Sequence, residues 1–350
     1  MGAELVSGDL DIVTGGGGFI GSHLVDALMA LGRRVRVVDN FAVGRRSNLA
    51  QYEGNPRFQL IEADVADGTA MRAAIRGADR VFHLAALADI VPSIQNPEGY
   101  FRANVDGTFS VLEAARAAEV RRFVYAASSS CYGVATVFPT PEAAPIDPRY
   151  PYALTKYLGE QQVIHWAKVY GLPALTLRLF NVYGPRARTS GTYGAVFGVF
   201  LAQLIAGKPL TVVGDGTQTR DFTYVSDVVA AFLTAAESDL SGRCYNVGSD
   251  TTVSVNRLVE LIGAEGVVHI PKRPGEPDCT FADISAVKRD LGWRPKISIE
   301  EGVKALLANL DYWRDAPVWT PDSIAHATQD WFKYLGAAEA RQAPSQEKRA

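Results

Sequence analysis

Cysteine is scarce in this sequence. Cys131, Cys244 and Cys279 are odd in number and far apart. That spacing excludes a disulfide framework and points to reduced thiols in a cytoplasmic chain. An excess of one charge is also missing. The 35 Lys and Arg against 38 Asp and Glu leave a net charge of −3 and a pI near 6.0. No whole-chain basic field exists to attract nucleic acid, so none is expected as a partner. No uncharged apolar run reaches the roughly 18 residues that span a bilayer, so no membrane insertion is expected. Met1–Asp9 lacks the basic-then-apolar layout of a signal peptide, and Ser7 misses the spacing from Gly2 that myristoylation requires. The five histidines form neither His-x-His nor His-Glu-x-x-His; no metal site is expected.

What the chain does have is apolar residues, 47% of its 350, enough for one large domain or two smaller ones. Through residue 130 short apolar runs alternate with helical patterns. Asp11–Thr14, Arg34–Asp39, Phe58–Glu62, Arg80–Ala85 and Arg122–Ala126 are near-continuously apolar, as strands buried on both faces are. Ile20–Leu31 and Tyr100–Ala118 read as helices between them, and Leu172–Phe180 as a further strand. This alternation predicts a doubly wound parallel α/β sheet. After Asn181 the texture changes to dense Pro, Gly and Arg, followed by a helical run, Ala195–Gly207. The expected division is 1–180 as the main domain and 181–340 as a smaller lobe, with about 220–240 returning to the main domain. The tail is small and polar, and 341–350 is expected to be disordered.

"TGGGGFIGSH" follows the first strand and opens a helix. Gly15, Gly18 and Gly21 permit a tight turn, close approach of a pyrophosphate and close packing of helix on sheet. Phe19 and Ile20 begin a helix whose free N–H groups face phosphate. Asp39 ends the second strand, where a carboxylate accepts from adenosine ribose hydroxyls and repels a 2′-phosphate. This favours NAD, although Arg45 and Arg46 keep NADP open. Asp64 and Val65, after the third strand, are placed to reach adenine; a strand-end cap is the alternative. "HLAALAD" ends the fourth strand with small residues, Leu84, Ala85 and Ala86 among them, which leave room for a ligand or simply pack tightly. Asn40 and Gly44 complete this cofactor set.

"YPYALTKYLGE" carries Tyr152 and Lys156 at i, i+4 on one helical face. A free tyrosine, with a pKa of about 10, is a poor base; a neighbouring ammonium and a cationic nicotinamide ring favour its phenolate. Such a phenolate takes a proton from a sugar hydroxyl. Tyr150 and Tyr157 have no lysine four residues on. "AASSSCYG" (126–133) contains no Asp, Glu or His.

These segments resemble the extended short-chain dehydrogenases/reductases of the nucleotide-sugar-modifying branch. The resemblance runs from about Asp11 to Trp293 and rests on "TGGGGFIGSH", "SSSCYG", "YALTK", "RLFNVYGPR", "GDGTQTRDF" and "RPGE". It implies a Rossmann sheet with a smaller C-terminal α/β substrate lobe, NAD as cofactor, a UDP-sugar substrate and a homodimer built on Tyr100–Ala118 and Tyr152–Tyr170. It implies that Tyr152 is the catalytic base, that Lys156 also holds the nicotinamide ribose, and that Ser128 shares the substrate proton. Asn104 orders the cofactor site. Asn181 and Val196 contact the sugar nucleotide, while Arg220 and Arg273 neutralise its diphosphate. The 4,6-dehydratases of this branch carry Asp-Glu where Ser129 and Ser130 stand here, and decarboxylases carry Glu at the place of Ser130. The missing carboxylates therefore leave 4-epimerisation or simple oxidoreduction, with Ser129 and Ser130 as substrate contacts. Thr280, or Cys279 if the register slips by one, falls where sugar size is controlled. Its small side chain admits an N-acetyl group.

The expected activity is NAD-dependent C4 inversion of a UDP-hexose or UDP-N-acetylhexosamine, UDP-GlcNAc favoured, as in polysaccharide biosynthesis. A UDP-uronate 4-epimerase, a decarboxylase, a 4-keto sugar reductase and a non-catalytic NAD-binding scaffold are the rivals. His23, His83 and Cys131 read as packing residues. A C-terminal stretch, 311–336, carries three tryptophans and reads as an aromatic cap on the lobe, or as an interface.

Overall fold

The computed structural model describes residues 9–187 and 195–337; the tail 341–350 lies outside the described residues. The strands, in chain order, are β1 (Leu10–Thr14), β2 (Arg34–Asp39), β3 (Phe58–Glu62), β4 (Arg80–His83), β5 (Arg122–Ser128), β6 (Ala174–Leu179), β7 (Leu210–Val213), β8 (Thr219–Arg220), β9 (Arg243–Val247), β10 (Val253–Ser254) and β11 (Val267–Ile270). Seven of them form one parallel sheet, in the order β3-β2-β1-β4-β5-β6-β9. Every residue of β1, β4, β5 and β6 is buried, which explains why these runs do not alternate in polarity. The order reverses between β1 and β4, so the carboxyl ends of these two strands open a crevice.

Helices cover both faces of the sheet, and two core clusters record the two layers. Phe19–Ala30 and Val225–Glu237 pack together on one side. Gly107–Ala117 and Pro151–Tyr170 pack together on the other. A π-helical segment, Arg102–Asp106, precedes Gly107–Ala117.

Beyond β6 the chain leaves the sheet and builds a lobe on the pairs β7–β11 and β8–β10. The lobe has its own core around Phe200, Leu258 and Trp313. The part that returns to the sheet is longer than 220–240. It includes β9, at the sheet's edge, and the helix Ser285–Leu291 packed against β9. Asp227 fastens the return: its Oδ2 accepts from the N–H of Lys296 and Ile297, and its carbonyl accepts from Trp293 Nε1.

Candidate functional site

The glycine turn after β1 is held open by sterics. Gly15 has φ +70°, and a Cβ there would sit 2.7 Å from the backbone nitrogen of Ala85. A Cβ at Gly21 would run into the carbonyl oxygen of Gly15. Only glycine at both places lets the first helical turn close against β1 and β4. No side chain caps that turn at Gly18, which leaves its N–H groups available to phosphate.

A cavity of about 570 Å³ opens here, within the usual range for cofactor pockets. Gly15, Gly18, Phe19, Ile20 and Gly21 line it from the first turn. Asp39, Asn40 and Gly44 line it after β2, Asp64 and Val65 after β3, and Leu84, Ala85 and Ala86 after β4. Asp39 accepts from the N–H of Gly17 (2.8 Å) and Phe41 (2.8 Å). Burial pushes its carboxyl up, and these two bonds oppose the rise. Asp64 accepts from the N–H of Ala66, as a strand-end cap does, pairs with Arg102 and also borders the cavity. Asn104 instead lies buried in the π-helical segment. Its amide accepts from Leu87 N–H (2.8 Å) and donates to Leu87 O and Thr155 Oγ1. It orders the segment after β4 and is not on the cavity wall.

A second cavity, of about 360 Å³, adjoins the first, and Ala88, Asp89, Val182 and Phe197 line both. Its wall includes Ser129, Ser130, Asn181, Val196 and Thr280. Thr280 lines it and Cys279 does not; Thr280 Oγ1 donates to Asn181 Oδ1 at 2.7 Å. Arg220 and Arg273 enter from the lobe and converge on Glu276, at 3.1 and 3.8 Å. Two cations on one carboxylate at a cavity wall suit an anionic ligand. Among the described residues, no group of three or more His, Cys, Asp or Glu side chains could hold a metal ion.

Ser128, Tyr152 and Lys156 themselves line neither cavity; Ser128 directly precedes the lining residue Ser129, Tyr152 follows the lining residue Tyr150 on the same helix, and Lys156 is buried one turn further along. Pro151 at the first helical position starts the helix that carries Tyr152 and Lys156, and Gly171 in the left-handed region ends it. Ser128 is the hydroxyl that favours the phenolate of Tyr152, and Ser130 acts in the same sense on Tyr150. Ser128 Oγ donates to Ser130 Oγ at 3.0 Å. The rings of Tyr150 and Tyr152 lie parallel, 6.4 Å apart.

The electrostatics differ from the simple sequence expectation. Burial raises Tyr152 above its ordinary range, and only the nearby Ser128 hydroxyl opposes the rise. Burial also lowers Lys156 to about 7, with Glu160 opposing. The ammonium lies 4.2 Å over the Tyr125 ring, where cation–π attraction holds it. The protein alone therefore keeps the phenol protonated, and the phenolate requires further positive charge from a bound cofactor. His83 is fully buried and pushed down to about 3, by burial and then by the charge of Lys156. Thr108 spends its proton on Asn104 O, so His83 Nε2 donates to Thr108 Oγ1 and Nδ1 accepts from Thr14 Oγ1. His23 bonds to Pro185 O, and burial lifts the Cys131 thiol to about 12.

Several wall residues were not anticipated. Tyr150 has no lysine four residues on, yet it is the N-cap of the helix that carries Tyr152 and lines the second cavity. Glu276 lay inside "RPGE" without a role. Trp319 lines the first cavity and Trp331 the second, while Trp313 is buried in the lobe core, against which Trp319 also packs. No local pattern marks those two tryptophans as site residues.

A parallel sheet of this order, an uncapped glycine turn at its switch point and a second, cationic cavity beside it define a dinucleotide-binding α/β enzyme. The family model for the NAD dependent epimerase/dehydratase family matches residues 12–248. A UDP-glucose 4-epimerase of Mycolicibacterium smegmatis is 36% identical over 300 residues, 83% of this chain and 95% of that protein. The crystal structure of UDP-glucose 4-epimerase from Thermotoga maritima with UDP-glucose superposes with a TM-score of 0.80. It is 35% identical and covers 87% of this chain and 98% of that one. UDP-glucuronic acid 4-epimerase from Bacillus cereus, in complex with UDP-glucuronic acid and NAD, superposes with a TM-score of 0.80. It is 32% identical, over 87% and 99% of the two chains. The chain belongs to the NAD dependent epimerase/dehydratase family of extended short-chain dehydrogenases/reductases, and NAD is its cofactor.

Proposed function

We propose that this protein is an NAD-dependent nucleotide-sugar 4-epimerase that inverts C4 of a UDP-hexose or UDP-N-acetylhexosamine through a 4-keto intermediate. NAD is assigned to the first cavity, and UDP-sugar to the second. One observation supports the reading: Ser128 is the neighbouring hydroxyl that favours the Tyr152 phenolate, in a serine segment that offers hydroxyls and no carboxylate. Elimination of water across C5–C6 needs an acid and a base together, whereas reversible oxidation at C4 needs one proton acceptor.

Bound NAD supplies the two-electron oxidation and the later reduction of C4. Tyr152 receives the O4 proton, with Ser128 bridging, and gives it back. Lys156, near neutrality through burial, holds the ribose and adds positive charge beside the phenol when protonated. Arg220 and Arg273 exchange Glu276 for the diphosphate and tether it while the sugar turns. The tether keeps the keto sugar beside Tyr152, so the second half of the reaction is effectively intramolecular. Thr280 is small and hydrogen-bonded to Asn181, which supports admission of an N-acetyl group.

A UDP-uronate 4-epimerase is the second reading, favoured by Arg149, which lines the same cavity as Ser130 and Tyr150. Its Nε pairs with Asp147 at 2.7 Å, and a uronate carboxylate would compete for it. A homodimer is proposed from the exposed Phe109, Leu154, Val169 and Tyr170, carried by the packed helices Gly107–Ala117 and Pro151–Tyr170. The three free cysteines support a reducing, cytoplasmic setting. Among the described residues, no helix is long and apolar enough to cross a membrane.

Purified protein is incubated with a panel of UDP-hexoses, UDP-hexosamines and UDP-uronates, and followed by NMR without added NAD. Growth of a C4-inverted product at constant total sugar is expected. Release of carbon dioxide, or no turnover until NADPH is added, assigns the protein to a decarboxylase or a reductase.

A further inference from the structure

We propose that Trp331 is a positioning residue of the second cavity, fixing Arg273 for the diphosphate; this rests on the proposed role of Arg273. The residue lies far beyond the 12–248 family match. The segment leading to it is set locally: Thr320 and Ser323 form a capping box, and Pro321 opens the helix Pro321–Ala327. Trp331 follows within Gln329–Trp331 and is 5% exposed.

Three walls of the cavity meet on this one ring. The first is the loop that carries Arg273. Trp331 Nε1 donates to Pro274 O at 2.7 Å, and the Arg273 guanidinium lies 5.3 Å from the ring centroid. The second is Tyr150, whose ring is 6.5 Å away. The third is the helix Ile90–Gln95, whose Val91 packs against Trp331 and Leu335. Gln95 Nε2 donates to Asp330 Oδ2 at 2.8 Å, which fastens the same contact from outside.

A tryptophan that served only to fill space would need its N–H satisfied anywhere. Here the N–H and the ring face serve consecutive residues, Pro274 and Arg273. An arginine side chain has many rotamers, and ordering one on binding lowers affinity. A fixed loop carbonyl and a cation–π contact order it beforehand. Glu276 pairs with the same guanidinium, at 3.8 Å. Without the ring, that carboxylate competes with the diphosphate for a mobile cation.

The test is a double-mutant cycle on the NAD-loaded protein, read by calorimetric titration with UDP. Trp331→Leu is expected to weaken UDP binding about tenfold, the loss a desolvated cation–π contact supports. Trp331→Phe keeps a ring and loses the N–H, and is expected to fall between. In an Arg273→Gln background, Trp331→Leu is expected to change UDP affinity less than twofold. With UDP-sugar, the variants raise KM more than they lower kcat. The inference is overturned if the tryptophan and arginine effects are additive. It is equally overturned if folded Trp331→Leu, or Trp331→Phe where the leucine variant does not fold, binds UDP as the parent does. If Arg273→Gln alone leaves UDP affinity unchanged, the diphosphate role of Arg273 falls first and the inference falls with it.

Discussion

The phenol of Tyr152 is the centre of the proposed chemistry, and its surroundings oppose its ionisation. Burial raises it, and the lysine four residues away is itself lowered to about 7. Tyr152→Phe keeps the ring and its stacking on Tyr150 but removes the proton acceptor. Turnover is expected to fall about 10²- to 10⁴-fold, with bound NAD unchanged; progress curves and the absorbance of the purified protein check the two parts. His83 has a separate signature. Its folded-state value is about 3, against 6.5 in a free chain. Between these limits the unfolded chain binds a proton that the native protein refuses. The stability His83 contributes is thus full above about pH 6.5 and is lost as pH falls toward 3. Asp221, raised to about 6 by burial, acts in the opposite sense from about 3.8 to 6, so the parent curve alone is a mixture. His83→Asn is expected to flatten the fall in melting temperature between pH 6.5 and 4.5 relative to the parent, and thermal melts across that range measure the difference.

At the scale of the element, the helix Pro151–Tyr170 must hold Tyr152 against β5 while its exposed side carries apolar residues. One buried ion pair does much of this. Arg178 of β6 donates to both carboxylate oxygens of Glu160, at 2.8 and 2.7 Å, and also to Tyr132 Oη and Glu142 O. Both side chains are almost wholly buried, with exposures of 2% for Glu160 and 6% for Arg178. Glu160→Gln preserves shape but leaves the guanidinium charge uncompensated. Destabilisation of about 3–5 kcal/mol is expected, read as a lower urea midpoint at unchanged slope. Glu160 and Arg178 drew no notice in the sequence because they are 18 residues apart and on different elements. The glycines of the first turn were legible, since the clash between Gly21 and Gly15 is local and every folded copy of such a turn meets it.

Across the whole molecule, the exposed apolar side chains of Gly107–Ala117 and Pro151–Tyr170 form one face. Phe109, Trp166 and Tyr170 make a continuous aromatic row, with centroids 5.7 and 5.4 Å apart. Leaving such a face in water is unfavourable, and in the proposed dimer a second copy would cover it. A dimer is expected by analytical ultracentrifugation, and Phe109→Glu combined with Val169→Glu is expected to shift it to monomer. A parent protein that sediments as a monomer at all concentrations overturns that assembly.

The strands, the doubly wound order and the cofactor turn could be read from residue order alone. Continuous burial writes continuous apolar runs, and a tight turn against a helix start admits only glycine. The serine run and the tyrosine–lysine pair were legible for the same local reason, being a few residues apart on one strand end and one helix. Other features depended on distant parts of the chain coming together. Trp331 reaches Arg273 across 58 residues and Tyr150 across 181, and β9 joins the sheet only after the lobe has been built. The depressed lysine and the neutral His83 belong with these, because the cost of burying a charge depends on everything packed around it, and no short stretch of sequence carries that information.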